Sequence, residues 1–597
     1  MLRWLPLLTL LISTTHASPN IIFVLVDDVG WADFGYNTNK PSATAIPTPN
    51  LDRLAGQGVQ LKSHYVHSSC TPSRASLMTG RYASNVGLPY ALVPGSVGGI
   101  PDSMATIPQL IRKAGYSAHM VGKWHIGDAQ WKQSPVGKGF ESHVGSLLWG
   151  LDSYSKQIWF DPFNSMGIDW GKYYENGTYF HYSEPRHATI ALTDEALAVM
   201  KNQDKEKPLF LYVSYNAAHA PLQAEPEWLS QCQHIPHTWR RQYCGLMVGF
   251  DQAVDSLVKG AKEHLGEDTV IVVTSDNGGI IWNGGLNEPL RGVKMTPFEG
   301  GTKVPGFVVD LSEKYAMTGG REMDKMVHIS DWMPTFLSWA GASHLYKDLK
   351  LDGIDQSHAL LKNEKVRDNM LLELWTEAES HDGSSSAAYR RGQFKLIQGT
   401  PRDPNWYTEP KTDRVSSSDQ SWFPAFMEFL IKGIQAINGV DHIDEWGQII
   451  LNFFYFKHYT RQEGFKTMLF DIESDPEERN DISSENPEVV ADLLKDVERI
   501  KAEQPPSTKY WMVSPNWTTA AGDCPDLELI QGEKHCKFLH SWIPDHTDLT
   551  DKALGLETAF KNRLRTTYLG YMIAVILSPT ALILILSCVW VKNKFAW

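Results

Sequence analysis

The sequence has neither an excess of positive charge nor many cysteines. Its 597 residues include 55 Lys and Arg against 69 Asp and Glu, which gives a formal net charge of −14. A general nucleic-acid-binding protein needs a basic face, so this composition excludes that class. An acidic surface also repels anions at long range, and an anionic ligand must therefore be attracted by local cations.

Only six cysteines are present. Cys70 lies in a motif described below and Cys588 in an apolar run, which leaves Cys232, Cys244, Cys524 and Cys536. Their spacing is not the close Cys-x-x-Cys type, although a zinc site is the competing interpretation. The spacing favours two local disulfides, Cys232–Cys244 and Cys524–Cys536, among the three pairings that four cysteines allow. Such disulfides indicate an oxidising compartment.

The N-terminus has the pattern of a secretory signal peptide. Arg3 precedes an apolar run over residues 5–12, and Ala17 ends a segment of small residues that suits cleavage. The run is too short to span a bilayer, so we expect residues 1–17 to be removed. Sequons at Asn176 and Asn516 would then be usable for N-glycosylation.

A second apolar run, over residues 568–591, lies close to the C-terminus. About 24 residues at about 1.5 Å each reach roughly 36 Å, enough to cross a hydrocarbon core of about 30 Å. This pattern predicts a transmembrane helix between a juxtamembrane segment, 546–567, and a cytosolic tail, 592–597. A cleaved lipid-anchor signal is the alternative, which Lys592 and Lys594 disfavour. Together with the signal peptide, the helix predicts a single-pass type I membrane protein with a lumenal or extracellular body, in the lysosome, the endoplasmic reticulum or at the cell surface.

Short apolar runs alternate with helical patterns through the first part of the chain. Strand-like runs occur at residues 21–26, 209–213 and 270–273, and each is followed by a polar or Gly-rich turn. Apolar residues three and four apart predict helices at residues 50–57, 106–114 and 187–201. Runs of this kind are typical of a parallel sheet covered by helices on both faces. We expect an α/β domain over residues 18–360.

The pattern changes after about residue 361. Residues 390–397 and 467–472 have the composition of strands in a separate antiparallel sheet, and residues 487–503 have that of an amphipathic helix. We therefore expect a smaller C-terminal subdomain over residues 361–545.

Residues 70 to 81 read Cys-Thr-Pro-Ser-Arg-Ala-Ser-Leu-Met-Thr-Gly-Arg. Taken alone, a buried or disulfide-bonded Cys before an N-capped helix would explain this segment. It also resembles the signature of the type I sulfatases, with family residues at Cys70, Pro72, Ser73, Arg74, Thr79, Gly80 and Arg81. The resemblance implies that a formylglycine-generating enzyme oxidises Cys70 during synthesis to formylglycine, which carries an aldehyde.

Acidic and amide side chains follow two of the predicted strands. Asp27 and Asp28 come after the first strand, and Asp276 and Asn277 come soon after the third. Each pair alone would more often be a loop cap or an Asx-turn, but an oxygen-only set suits a hard cation such as calcium or magnesium. Adjacent strand residues point to opposite faces, so Asp27 and Asp28 reach one ion only if the strand ends there. The resemblance implies one calcium ion held by these four residues and residue 70.

Two lysines and two histidines complete the predicted site. Lys123 and His125 lie in Val-Gly-Lys-Trp-His, His219 lies in Ala-Ala-His-Ala-Pro, and Lys294 follows Arg-Gly-Val. In isolation, such residues are usually just solvated. The resemblance implies that Arg74 and Lys123 stabilise the hydrated formylglycine and that His125 is the base for elimination. It also implies that His219 and Lys294 contact the sulfate, with one of them protonating the leaving oxygen.

The resemblance extends from about residue 19 to residue 482 and includes Asp471 and Glu478 of a C-terminal motif. It is greatest to the arylsulfatase B group, whose reference member removes 4-sulfate from N-acetylgalactosamine. It implies a large, mixed, mostly parallel sheet of the alkaline-phosphatase-like type and a sulfated glycan or small-molecule substrate. The predicted membrane tail departs from that soluble enzyme and leaves the substrate open.

Two alternatives remain at this point. Relatives on the same fold hydrolyse phosphate or phosphonate esters, and the chain could also be a catalytically silent membrane glycoprotein. The complete Cys-x-Pro-Ser-Arg motif favours sulfate, and a silent relative would be expected to have lost its nucleophile or a metal-binding acid.

Overall fold

The computed structural model describes residues 18–504 apart from residues 39–43, 93–95, 97, 159–167, 183, 313, 316, 318, 377–384, 402–405 and 407–463. Beyond residue 504 it describes two strands, Leu527–Ile530 and Glu533–Cys536. The predicted signal peptide, the transmembrane helix with its flanking segments, Cys524 and Asn516 lie outside the described residues. Within the described part of the chain, no helix is long and apolar enough to cross a membrane.

The strands, in chain order, are β1 (Asn20–Val26), β2 (Val59–Leu61), β3 (His64–Tyr65), β4 (Ser117–Gly122), β5 (Ser142–Gly145), β6 (Gly171–Tyr174), β7 (Tyr179–His181), β8 (Leu209–Ser214), β9 (Thr269–Ser275), β10 (Gly306–Asp310), β11 (Arg321–Met323), β12 (Val327–His328), β13 (Asn369–Trp375), β14 (Ser386–Arg391), β15 (Phe394–Gly399), β16 (Lys466–Asp471), β17 (Leu527–Ile530) and β18 (Glu533–Cys536). The α-helices are α1 (Pro49–Gln57), α2 (Cys70–Thr79), α3 (Ala83–Val86), α4 (Ile107–Lys113), α5 (Ala188–Lys201), α6 (Pro226–Ser230), α7 (Thr238–His264), α8 (Glu299–Thr302), α9 (Trp332–Trp339), α10 (Ser357–Lys362) and α11 (Pro487–Ala502).

The central feature is a ten-stranded sheet with the order β11-β2-β10-β9-β1-β8-β4-β5-β6-β7. Strands β9, β1, β8, β4 and β5 run parallel to one another. Antiparallel pairs occur on both sides of this block, at β10 and at the β6–β7 hairpin. The prediction of a mixed, mostly parallel sheet is confirmed.

The central strand β1 shows why the sheet is buried on both faces. Ile22, Val24 and Val26 belong to one apolar core, whereas Ile21, Phe23 and Leu25 belong to the core on the opposite face. Because side chains alternate along a strand, a continuous apolar run supplies both cores. Helices α1, α5 and α7 cover the first face, and α2, α4 and α9 cover the second.

The predicted elements agree with the observed ones within one or two residues at most ends, with one exception. Residues 390–397 are not a single strand, because β14 and β15 form an antiparallel hairpin that turns at Gly392 and Gln393. Gly392 has φ of 57°, a left-handed conformation that glycine adopts without strain. The 27-residue helix α7 and the antiparallel strands of the large sheet did not show in the sequence patterns.

A second, four-stranded antiparallel sheet has the order β13-β14-β15-β16, as the C-terminal pattern predicts. One face packs on Tyr65 and Phe298 of the large domain, and α11 covers the other. Lys395 of β15 is fully buried between Glu299 and Glu478, with both N–O distances 2.9 Å. Glu478, a residue of the C-terminal sulfatase-like motif, therefore helps to attach the small sheet. The division at residue 360 stays a prediction.

A disulfide joins Cys232 to Cys244, with the two Cα atoms 6.1 Å apart, as the spacing predicts. It ties the segment after α6 to the buried side of α7. For the second predicted pair, Cys524 falls outside the described residues.

Three buried histidines pack behind α2. The rings of His67 and His328 meet edge to face, with centroids 5.1 Å apart. His64 accepts the indole N–H of Trp332 at 3.1 Å, so its other ring nitrogen carries the proton. Burial lowers the pKa of His64 to about 3, lowers that of His67 to about 4 and holds that of His328 well below its usual range. These histidines are neutral in the folded protein.

We expect the substitution His64→Asn to change how stability depends on pH. Below about pH 6.5 the unfolded chain protonates this histidine, whereas the folded chain keeps it neutral down to about pH 3. The unfolded state binds more protons, so His64 removes about 1.4 kcal/mol of stability for each pH unit below 6. Relative to the unsubstituted protein, His64→Asn should therefore gain about that much free energy of unfolding between pH 6 and pH 5, measured by urea unfolding.

The comparison between two proteins matters because buried acids such as Asp128, whose pKa burial raises to about 8, contribute with the opposite sign. Their contribution is the same in both proteins and cancels. Parallel pH profiles for His64→Asn and the unsubstituted protein would contradict the prediction.

Candidate active site

The carboxyl ends of four neighbouring strands meet at one edge of the large sheet. In the order β9-β1-β8-β4, these strands end at Ser275, Val26, Ser214 and Gly122. In open α/β sheets this edge is where ligands bind. The segments that leave it carry the predicted residues Asp27, Asp28, Lys123, His125, His219, Asp276 and Asn277.

The chain turns immediately after β1, as the convergence of Asp27 and Asp28 requires. Asp28 has φ of 61°, in the left-handed region, and its N–H donates to Asp276 Oδ1 at 3.3 Å. The Asp27 N–H donates to the Ala217 carbonyl at 2.8 Å, and the Asp27 carbonyl accepts from Ala218 at the same distance. These contacts fix the turn against the segments that follow β8 and β9.

Cys70 is the first residue of α2, where the positive end of the helix dipole lies. Its Sγ lies 3.4 Å from Asp27 Oδ1 and 3.1 Å from Lys294 Nζ. Every residue of α2 is buried, and Cys70 itself is only 2% exposed. The helix thus holds the buried side chain of residue 70 next to the carboxylates.

Arg74 lies one helical turn after Cys70 and is completely buried. Its Nε and Nη2 donate to Asp276 Oδ2 at 3.0 and 2.7 Å. Nη1 donates to the Lys123 carbonyl at 3.0 Å and to Ser214 Oγ at 2.6 Å. The guanidinium therefore connects the ends of β4, β8 and β9 to the helix that carries residue 70.

Two lysines pair with Asp27 and Asp28, the two acids that follow β1. Lys123 Nζ lies 2.5 Å from Asp27 Oδ2, and Lys294 Nζ lies 2.5 Å from Asp28 Oδ1. Gly122, just before Lys123, has φ of 108°, and a Cβ atom there would lie 1.8 Å from the Ser214 carbonyl oxygen. Only glycine allows β4 and β8 to approach this closely at the site.

The two predicted histidines lie on the same side of the site but make different contacts. His125, with φ of 59°, has its Nε2 2.8 Å from the Leu92 carbonyl oxygen. His219 has its Nδ1 2.6 Å from the Ala220 carbonyl oxygen and its Nε2 3.7 Å from Asp28 Oδ2. Carbonyl oxygens only accept hydrogen bonds, so Nε2 of His125 and Nδ1 of His219 each carry a hydrogen.

The carboxylates form a cluster that fits a hard cation. One ligand atom from each of Asp27, Asp28, Cys70 and Asp276 lies within 4.8 Å of the others. Asp28 Oδ2 and Asn277 Oδ1 are buried and have no hydrogen-bond partner among the described residues. Unsatisfied buried acceptors are costly, and a cation bound beside them would remove that cost. The predicted ligands are therefore together, and their oxygen donors suit calcium or magnesium.

Nearby positive charges keep Asp27 and Asp28 ionised although both side chains are buried. Burial acts to raise the pKa of Asp27, but Lys123 and His219 lower it to about 2. Burial likewise opposes ionisation of Asp28, and Lys294 and His219 outweigh it, so that the pKa of Asp28 is lowered. Ionised oxygens are the form that ligates a cation.

The pKa of the Cys70 thiol is shifted in the opposite direction, towards the neutral form. Burial, together with the negative charge of Asp276, raises its pKa above the usual value for a cysteine. Because the thiolate is the nucleophilic form, an unmodified Cys70 would be a weak nucleophile at neutral pH.

Sequence patterns missed several residues that hold the site. Ser214 binds Arg74, and the Leu92 carbonyl binds His125. Thr71 Oγ1 donates to the His125 carbonyl at 2.9 Å and accepts from the Leu92 N–H at 3.1 Å. Ser214 directly follows the strand predicted at residues 209–213, which was an available signal. Leu92 acts through its backbone, which no residue type reveals.

Residues 19–342, more than half of the chain, match the family model described as Sulfatase. Arylsulfatase J of Mus musculus is 34% identical over 487 residues, which cover 80% of this chain and 75% of that protein. N-acetylgalactosamine-6-sulfatase of Homo sapiens is 32% identical over 361 residues, which cover 58% of this chain and 66% of that enzyme.

Solved structures give the same result for the fold. The crystal structure of Ps i-CgsB in complex with k-i-k-neocarrahexaose superimposes with a TM-score of 0.63 at 26% identity, covering 85% of this chain and 98% of that one. The match to the arylsulfatase B group in particular stays a prediction. The extent of the family match and the identity to Arylsulfatase J show that the chain belongs to the sulfatase family and is a sulfuric ester hydrolase.

Proposed function

We propose that this protein hydrolyses sulfate esters of a carbohydrate by means of a formylglycine made from Cys70, with one calcium ion at the carboxylate cluster. The observation that carries the proposal is the position of residue 70, at the start of a buried helix and 3.1 Å from Lys294. A reactive group at this point lies beside both the metal-binding acids and two ammonium groups. A sulfate ester needs all three, because it is anionic and its sulfur is shielded by oxygens.

Formylglycine, once hydrated, supplies two hydroxyls on one carbon, of which one attacks sulfur and the other later allows elimination of sulfate. Asp27 Oδ1 lies 3.4 Å from Cys70 Sγ and would hold a proton of the attacking hydroxyl. Arg74 keeps Asp276 and Asp27 in place from the side opposite to solvent. Asp27, Asp28, Asp276, Asn277 and residue 70 would hold the calcium ion, which supplies positive charge for the sulfate oxygens.

His125 is suited to accept the proton released in the elimination step. Its Nε2–H is bound to the Leu92 carbonyl, so Nδ1 keeps a lone pair, and Nδ1 is buried with no hydrogen-bond partner among the described residues. Burial and the charge of Lys123 lower the pKa of His125, which keeps the ring neutral and able to accept a proton.

His219, Lys123 and Lys294 supply the remaining contacts. We propose that His219 and Lys294 bind sulfate oxygens and that one of them protonates the leaving oxygen. Burial acts against the charged form of Lys294, but Asp28 outweighs it and raises the pKa of Lys294, which therefore stays charged near the ester. Lys123, paired with Asp27, stabilises the negative charge that develops at residue 70.

The substrate we propose is a sulfated sugar such as N-acetylgalactosamine 4-sulfate. The relatives with N-acetylgalactosamine-6-sulfatase in their name support this class and add the 6-sulfate as a candidate. The solved relative that contains k-i-k-neocarrahexaose supports a carbohydrate.

We further propose the secretory pathway, lysosome or cell surface as the location, with a signal peptide over residues 1–17 and a membrane anchor over residues 568–591. The formylglycine-generating enzyme would act in the secretory pathway during synthesis. Asn176 lies exposed in the turn between β6 and β7, where a glycosylating enzyme would reach it.

The first prediction concerns residue 70. In the purified protein, mass spectrometry of the tryptic peptide 63–74 should show an aldehyde without sulfur in place of the Cys70 thiol. Cys70→Ala should reduce sulfate release from 4-nitrophenyl sulfate by at least about a thousandfold, because the nucleophile is lost. Its melting temperature should stay close to that of the unsubstituted protein, since the side chain is small.

The same assay separates the alternatives. Faster release of phosphate than of sulfate from matched aryl esters would favour a phosphoester hydrolase. A protein with the aldehyde but without release of either would be silent. Retained turnover in Cys70→Ala would reject the mechanism.

The second prediction concerns the metal. After treatment with a chelator, addition of calcium should raise the melting temperature, by the equivalent of about 2.7 kcal/mol at a hundred times the dissociation constant. Asn277→Ala should require at least about tenfold more calcium for the same shift, because a ligand oxygen is lost. The exposed Asn202 gives the control variant, Asn202→Ala, which should respond like the unsubstituted protein. Equal calcium responses in all three proteins would refute the metal assignment.

A further inference from the structure

Trp149 lies between the two histidines of the site, in the loop that follows β5. Its ring centroid is 6.4 Å from that of His125 and 5.9 Å from that of His219, with interplanar angles of 43° and 60°. The indole is therefore close to both histidines of the site. No motif in the sequence singles it out.

The indole is held in a fixed orientation. Its Nε1–H donates to the Leu92 carbonyl oxygen at 3.2 Å, the same oxygen that accepts the Nε2–H of His125. The two residues before it are also fixed, since the N–H groups of Leu147 and Leu148 donate to the Asp169 carboxylate at 2.8 and 2.7 Å. A ring that is already ordered loses little conformational freedom when it binds a ligand.

Trp149 is half-buried, whereas Trp124, Trp170 and Trp332 are completely enclosed. The sulfate end of an ester is attracted to Lys123 and Lys294, and Trp149 lies beside both histidines of the same site. A partly exposed indole at this position suits the apolar C–H face of a pyranose ring, which packs well on aromatic rings.

We propose that Trp149 is a substrate-binding residue whose exposed face packs against the sugar ring that carries the sulfate ester. The inference rests on the proposed function and adds the means by which the site recognises a carbohydrate. Free sulfate has no ring and gains nothing from this contact.

The test compares Trp149→Ala and Trp149→Phe with the unsubstituted protein, using N-acetylgalactosamine 4-sulfate and 6-sulfate. Trp149→Ala should raise KM for the accepted sugar about tenfold with kcat changed less than twofold, since an aromatic packing contact is lost. Trp149→Phe retains a ring face and should raise KM by about threefold at most. Inhibition by inorganic sulfate should have the same constant in all three proteins.

Trp339→Ala, at a half-buried tryptophan of α9, is the control for loss of a large side chain and should leave both KM and the sulfate constant unchanged. Melting temperatures verify that each variant is folded. A fall in kcat with a shifted pH profile in both Trp149 variants would show that the indole only positions His125 through Leu92, and would overturn the proposal. Unchanged KM in Trp149→Ala would overturn it as well.

The proposed function and this inference fail in different ways. If the unsubstituted protein releases sulfate from 4-nitrophenyl sulfate but from neither sugar, the sugar contact is rejected while the sulfatase chemistry stands. If it releases sulfate from none of the three esters, the proposed function fails, and the inference fails with it.

Discussion

Removing a carboxylate from water costs free energy unless a cation stays beside it. This site contains three buried carboxylates. Asp27 pairs with Lys123, Asp28 with Lys294, and Asp276 with Arg74, and all of these side chains are almost completely buried. Loss of one partner from such a pair costs about 3–5 kcal/mol, because the other charge stays buried alone. Each pair also joins segments that are far apart in the sequence, so the same contacts that neutralise charge assemble the site.

The fold is arranged so that these pairs form at the end of an apolar sheet. The side chains of residues 21–26 in β1 alternate between the two apolar cores, and the polar residues Asp27 and Asp28 follow where the strand ends. Left-handed backbone at Asp28 and His125 turns the chain at these ends. Such conformations are uncommon outside glycine, and they cluster at functional sites where surrounding contacts hold them.

Sequence reasoning found the parts of the site that depend on residue type. Carboxylates after strands, a lysine and a histidine in a strand-end motif, and the signature at Cys70 were all recognisable, and the structure brings these residues together. The proposal that Arg74 stabilises residue 70 stays a prediction; its hydrogen bonds are to Asp276, Ser214 and the Lys123 carbonyl, so it also organises the surrounding charges.

What the patterns missed depends on tertiary contacts. The Leu92 carbonyl binds both His125 and Trp149, and a backbone atom has no signature in composition or periodicity. The hairpin at Gly392 was read as one strand because its turn has only two residues between similar apolar runs. The antiparallel strands β6 and β7 are short, and pairing at the edge of a sheet rather than propensity decides such strands.

The enclosure of α2 has a consequence for when the proposed conversion of Cys70 to formylglycine would have to occur. All ten residues of this helix, Cys70 included, are out of solvent, and Arg74 is bonded on several sides. An enzyme that oxidised Cys70 would have to reach this residue before the helix is enclosed, so the proposed oxidation would compete in time with folding itself. A molecule that folded first would keep its sulfhydryl, and the active fraction of a preparation would then record the outcome of that competition rather than the stability of the finished protein.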